Sequence, residues 1–377
     1  MRSLLVVHAV DRPGGAELAL LRAAPLLAER GWRMTMTGPT GRRPAEAPDD
    51  VVWRQQPVGG LGRGQGLGAV LAFRAFRALA AQHDVVYLNG TVPARLLPAL
   101  QPPGGRGGGR IAARTAIHVH DMTRRVPRFW GGADVLLADS RACAHPVGQR
   151  LGRDVVVTGC PVDLDPPAVA APWTVDDRPV IAFVGRIEPR KGPLDLIAAA
   201  EGIRVAVPRA RIVIVGEDSY DADPHHARLV DRRADAAGVE RWPWQTGGPG
   251  LLRHVDVLVV PSHREPFGTI AAEAQAVGVP VVASAVDGLV EVVQDGVTGR
   301  LVPPGDPAAL AHGAVWALRE RTLLADGCRQ AARAWALDAF ADRVDAALRG
   351  HRGPADGDRS ATTAATRAAA DDGRGKR

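Results

Sequence analysis

An apolar run that stops at Pro-Ser and leads at once into a small-residue helix leaves few folds open to a chain. Val255-Asp-Val-Leu-Val-Val260 precedes Pro261-Ser262. Such a run reads as a parallel strand buried on both faces. A polar turn carrying Glu265 follows, and Gly268 and Thr269 then open an Ala-rich helix that ends near Gly278. Pro280–Ala283 is the next strand and Asp287-Gly288 the next turn. Strands alternating with helices imply a parallel sheet flanked by helices, whose ligands bind at the carboxyl ends of the strands. Glu265 and Glu273 stand eight positions apart, one at a strand's carboxyl end and one two turns later. That spacing can bring both carboxylates to one rim. The amides freed at the helix start beside Gly268 suit a phosphate.

The same rhythm runs through the whole chain. Ser3–His8 is strand-like, Asp11-Arg-Pro-Gly-Gly15 is a turn, and Ala16–Arg30 is an amphipathic helix stopped by Gly31. A strand opening into Gly14-Gly15 and a helix start also admits a phosphate, or only a tight connection. Residues 39–66, rich in Pro, Gly and Arg, are expected to be a mobile loop region. The string Gly62, Gly64, Gly66, Gly68 has no strand leading into it and so lacks the context of a dinucleotide fingerprint. Helices are expected at Leu67–Gln82 and Val92–Leu100, strands at Asp84–Leu88 and Ile111–Ile117, and a glycine-rich loop at Pro102–Gly109. His118 and His120 follow, but no third ligand at a suitable spacing accompanies them, which argues against zinc. Asp134–Ala138, Ser140–Leu151 and Asp154–Thr158 continue the alternation.

Pro161–Arg178, rich in Pro and Asp, reads as a linker. Residues 1–165 are therefore expected to form one domain and residues 166–348 a second, while 349–377, without apolar periodicity, should be a disordered tail. The second alternation begins at Pro179–Val184 and passes through Gly185-Arg186 to Lys191-Gly192 and a helix, Pro193–Glu201. A strand, a turn with two cations five positions apart and a helix start make an anion cradle. Arg211–Val215 then runs into Gly216, and a helix is expected at Pro224–Ala237. Asp306–Trp316, Arg321–Ala334 and Leu337–Leu348 should be terminal helices.

Composition sharpens two of these readings. The chain of 377 residues is long enough for two cores. It has 45 Arg but only two Lys, Lys191 and Lys376. The surviving Lys in a Gly-flanked loop marks a place for a compact point charge that a planar guanidinium would not replace. Residues 1–165 carry 21 Arg against 13 acidic residues, a net of +8, whereas the remainder nets −2. That excess suits an anionic partner or an anionic membrane surface, with solubility alone as the plainer reading. Six of those arginines, Arg106, Arg110, Arg114, Arg124, Arg125 and Arg128, surround the His118–Asp121 turn. Cys143, Cys160 and Cys328 lack motif spacing, as expected of a reducing, cytoplasmic setting. The apolar stretch after Met1-Arg-Ser3 is too short for a signal peptide, and no run is long enough for a membrane span.

Glu265-Pro-Phe-Gly268 through Glu273 and Ala274, then Gly278-Val-Pro280-Val-Val282, resembles the donor-site signature of retaining glycosyltransferase family 4. Gly185-Arg186 to Lys191-Gly192 matches that family's G-R-x(4)-K-G segment, and the order strand, P-G-G-A-E, helix, R-G-W is similar to its amino-terminal opening. The resemblance covers roughly residues 3–348, dense in the second half and sparse in the first. It implies two Rossmann-like domains facing across a cleft, the GT-B arrangement, with the last helix crossing back to the first domain. It implies transfer of a sugar from a nucleoside diphosphate sugar to a hydroxyl acceptor, with retention at the anomeric carbon. By the same resemblance, Arg186 and Lys191 would stabilise the leaving diphosphate, and Glu273 would hold the ribose. Glu265, with the amides near Gly268 and Thr269, would hold donor sugar and phosphate. Gly15 would face the donor across the cleft, with Gly216 lining its nucleotide side and Trp242–Gly248 bordering the base. His120 would take the acceptor-side histidine's role, His118 being the fallback. Asp287-Gly288 departs from the family's common Gly-Gly. No Asp-x-Asp motif is placed to hold Mg²⁺, so neither metal nor cofactor is expected, and nucleic acid is not an expected partner. An acceptor that is anionic or lipid-linked would suit the basic half. A dehydrogenase fails for want of G-x-G-x-x-G after a first strand. A non-catalytic sugar-nucleotide-binding or scaffold protein of the same fold is the alternative.

Overall fold

The computed structural model describes residues 1–11, 13–58, 73–101, 111–217, 224–245 and 247–350. Among these residues the chain builds two parallel sheets. The first contains β1 (Arg2–Val7), β2 (Trp32–Gly38), β3 (Val52–Gln55), β4 (Val85–Asn89), β5 (Arg114–Val119), β6 (Val135–Ala138) and β7 (Val156–Val157). Their order is β3-β2-β1-β4-β5-β6-β7. The second contains β8 (Val180–Val184), β9 (Arg211–Val215), β10 (Glu240–Trp242), β11 (Val257–Val260), β12 (Val281–Ser284) and β13 (Gly299–Val302), in the order β10-β9-β8-β11-β12-β13. The strand order reverses between β1 and β4 and again between β8 and β11. Those are the two switch points where crevices open beyond the strand ends.

The sheets form because their central strands are apolar on both faces. β8 is buried at all five positions, as are the four positions of β11. One face of the second sheet, with Ile181 and Phe183, packs on the helices Pro193–Ala206 and Pro307–Ala332. The opposite face, with Ala182, Val184 and Leu258, packs on the helix Thr269–Ala276. In the first sheet Leu4, Val6 and Tyr87 face the helix Gly15–Glu29. They also face the last helix, Leu337–Arg349, through Phe340, Ala341 and Val344. That helix crosses back over the first domain and is pinned there. Trp32 Nε1 donates to Asp345 at 2.6 Å, and Arg343 Nε donates to the Thr158 carbonyl at 2.8 Å.

Several local expectations change. β3 lies inside the stretch 39–66 expected as loop; it is a short edge strand with little burial, so no apolar alternation announces it. Residues 307–332 form one continuous helix, not two. Pro93–Leu96 is a 3₁₀ turn ahead of the short helix Leu97–Leu100, and Trp242 ends a strand where a loop was expected to begin. The string from Gly62 to Gly68, Arg106, Arg110 and residues 351–377 lie outside the described residues, as do the whole loop expected at Pro102–Gly109 and the start of the helix expected at Leu67–Gln82. No helix of the described residues is long and apolar enough to cross a membrane.

Because Phe340 is 1% exposed within the first sheet's core, Phe340→Ala should lower unfolding stability by about 3–5 kcal/mol. Denaturant unfolding measures this, and a loss within experimental scatter would contradict the docking of the last helix.

Candidate functional site

The loops after β8 and β11 lock together. The chain leaves β8 through Gly185 and Arg186, makes a 3₁₀ turn at Pro189–Lys191, and turns again at Gly192, whose φ is +67°. A Cβ on Gly192 would run into the Pro261 carbonyl, so only glycine lets the two loops touch. The His263 amide also donates to the Arg190 carbonyl at 2.8 Å. This contact sets Lys191 Nζ 2.5 Å from Glu265 Oε2, with 16% and 8% of the two side chains exposed. Ser262 Oγ donates to the same carboxylate oxygen at 3.2 Å. The loop after β12 closes the assembly. Asp287 takes a left-handed conformation, φ 45°, and its carboxylate accepts from the Glu265 amide at 3.1 Å. Gly288 N donates to the Glu265 carbonyl at 3.0 Å. The departure from Gly-Gly at this turn is thus a working contact.

Gly268, φ +99°, caps the helix Thr269–Ala276. The amides of Gly268, Thr269 and Ile270 donate to no backbone carbonyl among the described residues. With Lys191 beside them they form a rim able to bind an anion. Arg186 stands on the same loop, more than half exposed, 3.2 Å from Glu188, which also pairs with Arg190 at 2.9 Å. Gly216 ends β9 against the Gly185 carbonyl, where a side chain would not fit. Glu273 lies inside its helix and is 8% exposed. Burial pushes its carboxyl up to about 7, against the pull of Arg22, 3.8 Å away on the helix of the glycine turn. The two glutamates therefore differ: Glu265 is held by a lysine, and Glu273 sits close to its own titration point.

The facing wall is a chain of imidazoles. Gly15 begins the first helix, with open space where its side chain would be, and Glu17 accepts from the Gly14 amide at 3.0 Å. His120 Nδ1 donates to both oxygens of Asp139 at 3.0 Å, and its Nε2 donates to Asn89 Oδ1 at 2.7 Å. Burial would lower its pKa, but the Asp139 carboxylate outweighs burial and raises it. With both ring nitrogens donating, His120 is an imidazolium held in place. His118 is buried with its Nε2 2.9 Å from Asp139 and its Nδ1 2.5 Å from the Tyr87 hydroxyl. Burial and the neighbouring His120 lower it to about 4, so it is neutral. Asp139 is pulled below the usual carboxylate range by His120 and His118, although burial opposes the shift. Asn89 Nδ2 donates to His8 Nδ1 at 3.0 Å, and burial holds His8 neutral, its pKa at about 3.

Asp139 is the third partner that sequence spacing did not disclose. One ligand atom each from His118, His120 and Asp139 lie within 4.8 Å of one another, the geometry of a metal group. All four ring nitrogens of the two histidines are already hydrogen-bonded to protein groups. Asn89, His8, Asp287 and Arg22 were also missed, because each reaches the site only through the fold, and Ser262, three positions before Glu265, was given no role.

The two walls meet at a few polar contacts. Ser140 Oγ donates to the Pro266 carbonyl at 2.5 Å, and the Arg141 and Ala142 amides donate to Glu291 at 3.0 and 3.2 Å. Arg264 Nη2 reaches Met122 Sδ at 3.5 Å. Of the arginines around the histidine turn, Arg114 opens β5, whereas Arg124, Arg125 and Arg128 are exposed.

Two doubly wound domains, with the rim of Lys191 and the helix-start amides on one facing a polar wall on the other, define the GT-B class. Residues 170–335, within the second domain, match the family model described as glycosyl transferases group 1, and that domain belongs to the family. The D-inositol 3-phosphate glycosyltransferase of Segniliparus rotundus is 33% identical over 264 residues, 68% of this chain and 54% of the relative. That of Mycobacterium tuberculosis is 36% identical over 255 residues, 66% and 49% of the two chains. The chain thus spans about half the length of these relatives. Among solved structures, HepE of Anabaena in complex with UDP and glucose superposes with a TM-score of 0.72 at 21% identity, covering 93% of this chain and all of that one. Sucrose-phosphate synthase of Thermosynechococcus elongatus gives 0.73 at 20%, covering 93% and 99%. These two share the fold.

The site's proton inventory predicts how stability varies with pH. His8 and His118, lowered to about 3 and 4 when folded, bind protons below about 6.5 only in the unfolded chain. Their contribution is therefore full above that value and is lost as pH falls towards 4. Glu273, raised to about 7, works in the opposite sense over the same window and offsets one of them. The net decline from pH 6.5 to 4.5 should be on the order of 1 kcal/mol per pH unit. Glu273→Gln should steepen it. Denaturant titrations across that window test both statements, and a flat profile that Glu273→Gln leaves flat would contradict them.

Proposed function

We propose that this chain is a retaining glycosyltransferase that moves a sugar from a nucleoside diphosphate sugar to a hydroxyl acceptor. The observation that carries the reading is the pairing of Lys191 with Glu265 at 2.5 Å beside the free amides of Gly268 and Thr269. That rim offers a fixed positive charge and aligned donors to a diphosphate, and an oriented carboxylate to the hydroxyls of the attached sugar. As the bond from anomeric carbon to diphosphate oxygen breaks, negative charge grows on the diphosphate. Lys191, Arg186 and the amides oppose that charge where it develops. The new bond forms from the acceptor oxygen to the same carbon. The acceptor's proton passes to the departing diphosphate, a base that the reaction itself supplies.

Glu273 takes the ribose hydroxyls, and Gly15 and Gly216 leave room for the nucleotide on either side. His120, already donating from both nitrogens, serves as a fixed positive charge on the acceptor side. No step in this scheme uses a metal or cofactor. HepE was solved with UDP-glucose, which makes it the first donor to try. The name of the relatives, D-inositol 3-phosphate glycosyltransferase, makes a phosphorylated polyol the first acceptor class. An anionic membrane surface is the setting in which a lipid-linked acceptor would be met.

Lys191→Ala should lower turnover on the order of 10²–10³, as for the loss of one preorganised donor, with the fold retained by circular dichroism. Release of nucleoside diphosphate in the presence of acceptor measures it, and unchanged turnover would remove the cradle from the mechanism. Glu273→Gln should weaken binding of the free nucleoside diphosphate by roughly 1.5–3 kcal/mol in calorimetry. Undiminished binding would free Glu273 from the ribose.

A further inference from the structure

A second cationic site lies outside the cleft. The loop that follows His120 and Met122 runs along the second half of the helix Arg141–Leu151. Between them is a cavity of about 590 Å³ lined by Thr123, Arg124, Arg125, Val126, Gln149 and Arg150, with Pro146. The wall comes from the second half of that helix, whereas Ser140, at its start, makes the contact with Pro266 across the cleft. The pocket is therefore beside the acceptor entrance and separate from the rim that carries Lys191.

Its charge is unbalanced. Arg124, Arg125 and Arg150 form no ion pair or hydrogen bond through their side chains among the described residues. Thr123 Oγ1 donates to the Arg125 carbonyl at 3.1 Å, which fixes the short turn between the two arginines. Three guanidiniums around one cavity repel one another until an anion enters, and the guanidinium fork matches the oxygens of a phosphate. Val126 and Pro146 give the cavity an apolar side, and the three arginines around it are exposed. The volume exceeds what an inorganic phosphate needs, so a substituent on the phosphate has space.

We propose that this pocket is an accessory phosphate site, built from Arg124, Arg125 and Arg150, that takes the phosphate group of a soluble phosphate ester or of a phospholipid headgroup. It goes beyond the transfer reading and does not rest on it: the site binds its anion whether or not the cleft transfers sugar.

The test uses the full chain with two probes. Inorganic phosphate is titrated at ionic strength matched with chloride, following the arginine side-chain NMR signals. Cosedimentation is measured with vesicles of phosphatidylcholine containing phosphatidylglycerol and with phosphatidylcholine alone. Saturable binding of phosphate assigns a soluble ester, and binding confined to the anionic vesicles assigns a headgroup. In either case Arg150→Ser and the double substitution Arg124→Ser with Arg125→Ser should weaken binding about tenfold or more, the worth of a charge-assisted hydrogen bond. Arg319→Ser, which removes an exposed arginine elsewhere, should bind like the parent chain. The proposal is overturned if neither probe binds beyond the chloride or phosphatidylcholine control. It is equally overturned if the pocket variants bind like the parent or Arg319→Ser weakens binding as much.

Discussion

The ion pair between Lys191 and Glu265 is the contact on which the second domain's rim depends. Each partner is largely withdrawn from water, so each would be costly without the other. Placing them together requires the loops after β8 and β11 to touch. That in turn requires Gly192 at the Pro261 carbonyl, and Asp287 and Gly288 clasping the backbone of Glu265. A cation, a carboxylate and a row of amides are thereby fixed before any ligand arrives. Such preorganisation makes an electrostatic site effective, because no further reorganisation is needed when charge develops.

The opposite wall depends on a carboxylate in the same way. Asp139 sits between two imidazoles and makes them unlike: His120 charged, His118 neutral. The network continues through Asn89 to His8, so that β1, β4, β5 and the end of β6 share one hydrogen-bonded frame. The last helix returns from the second domain to cover this frame's sheet, and its Phe340 stacks 6.4 Å from His118. The two walls are thus coupled through the core of the first domain as well as across the cleft.

Much of this was legible in the sequence where chemistry is carried by near neighbours. The apolar strands, Arg186, Lys191, Glu265 and Glu273 announce themselves because each lies within a few positions of a strand end or helix start. Asp139 did not, because it is 19 positions from His120 and becomes its neighbour only through the parallel pairing of β5 with β6, Val119 opposite Ala138. β3 was illegible for a different reason: an edge strand with mostly exposed residues has no buried face to impose alternation. The helix Pro307–Ala332 read as two because its middle, Arg319-Glu320-Arg321, is a run of charges; its first half packs on one face of the second sheet through Leu310, Ala314 and Leu318, and Ala332 at its end is buried in the core of the other face. The conformation of Asp287 was hidden because a left-handed aspartate is chosen by its contact with the Glu265 amide, not by its own preference.

The central claim is that one cleft, walled by Lys191 and Glu265 on one side and by the Asp139 imidazoles on the other, holds a nucleoside diphosphate. A crystal structure of the full chain soaked with a nucleoside diphosphate tests it most directly. The account predicts diphosphate oxygens within hydrogen-bonding distance of Lys191 Nζ and of the Gly268 and Thr269 amides, with the ribose hydroxyls on Glu273. A nucleotide bound away from those groups, or an empty cleft at saturating ligand, would contradict it.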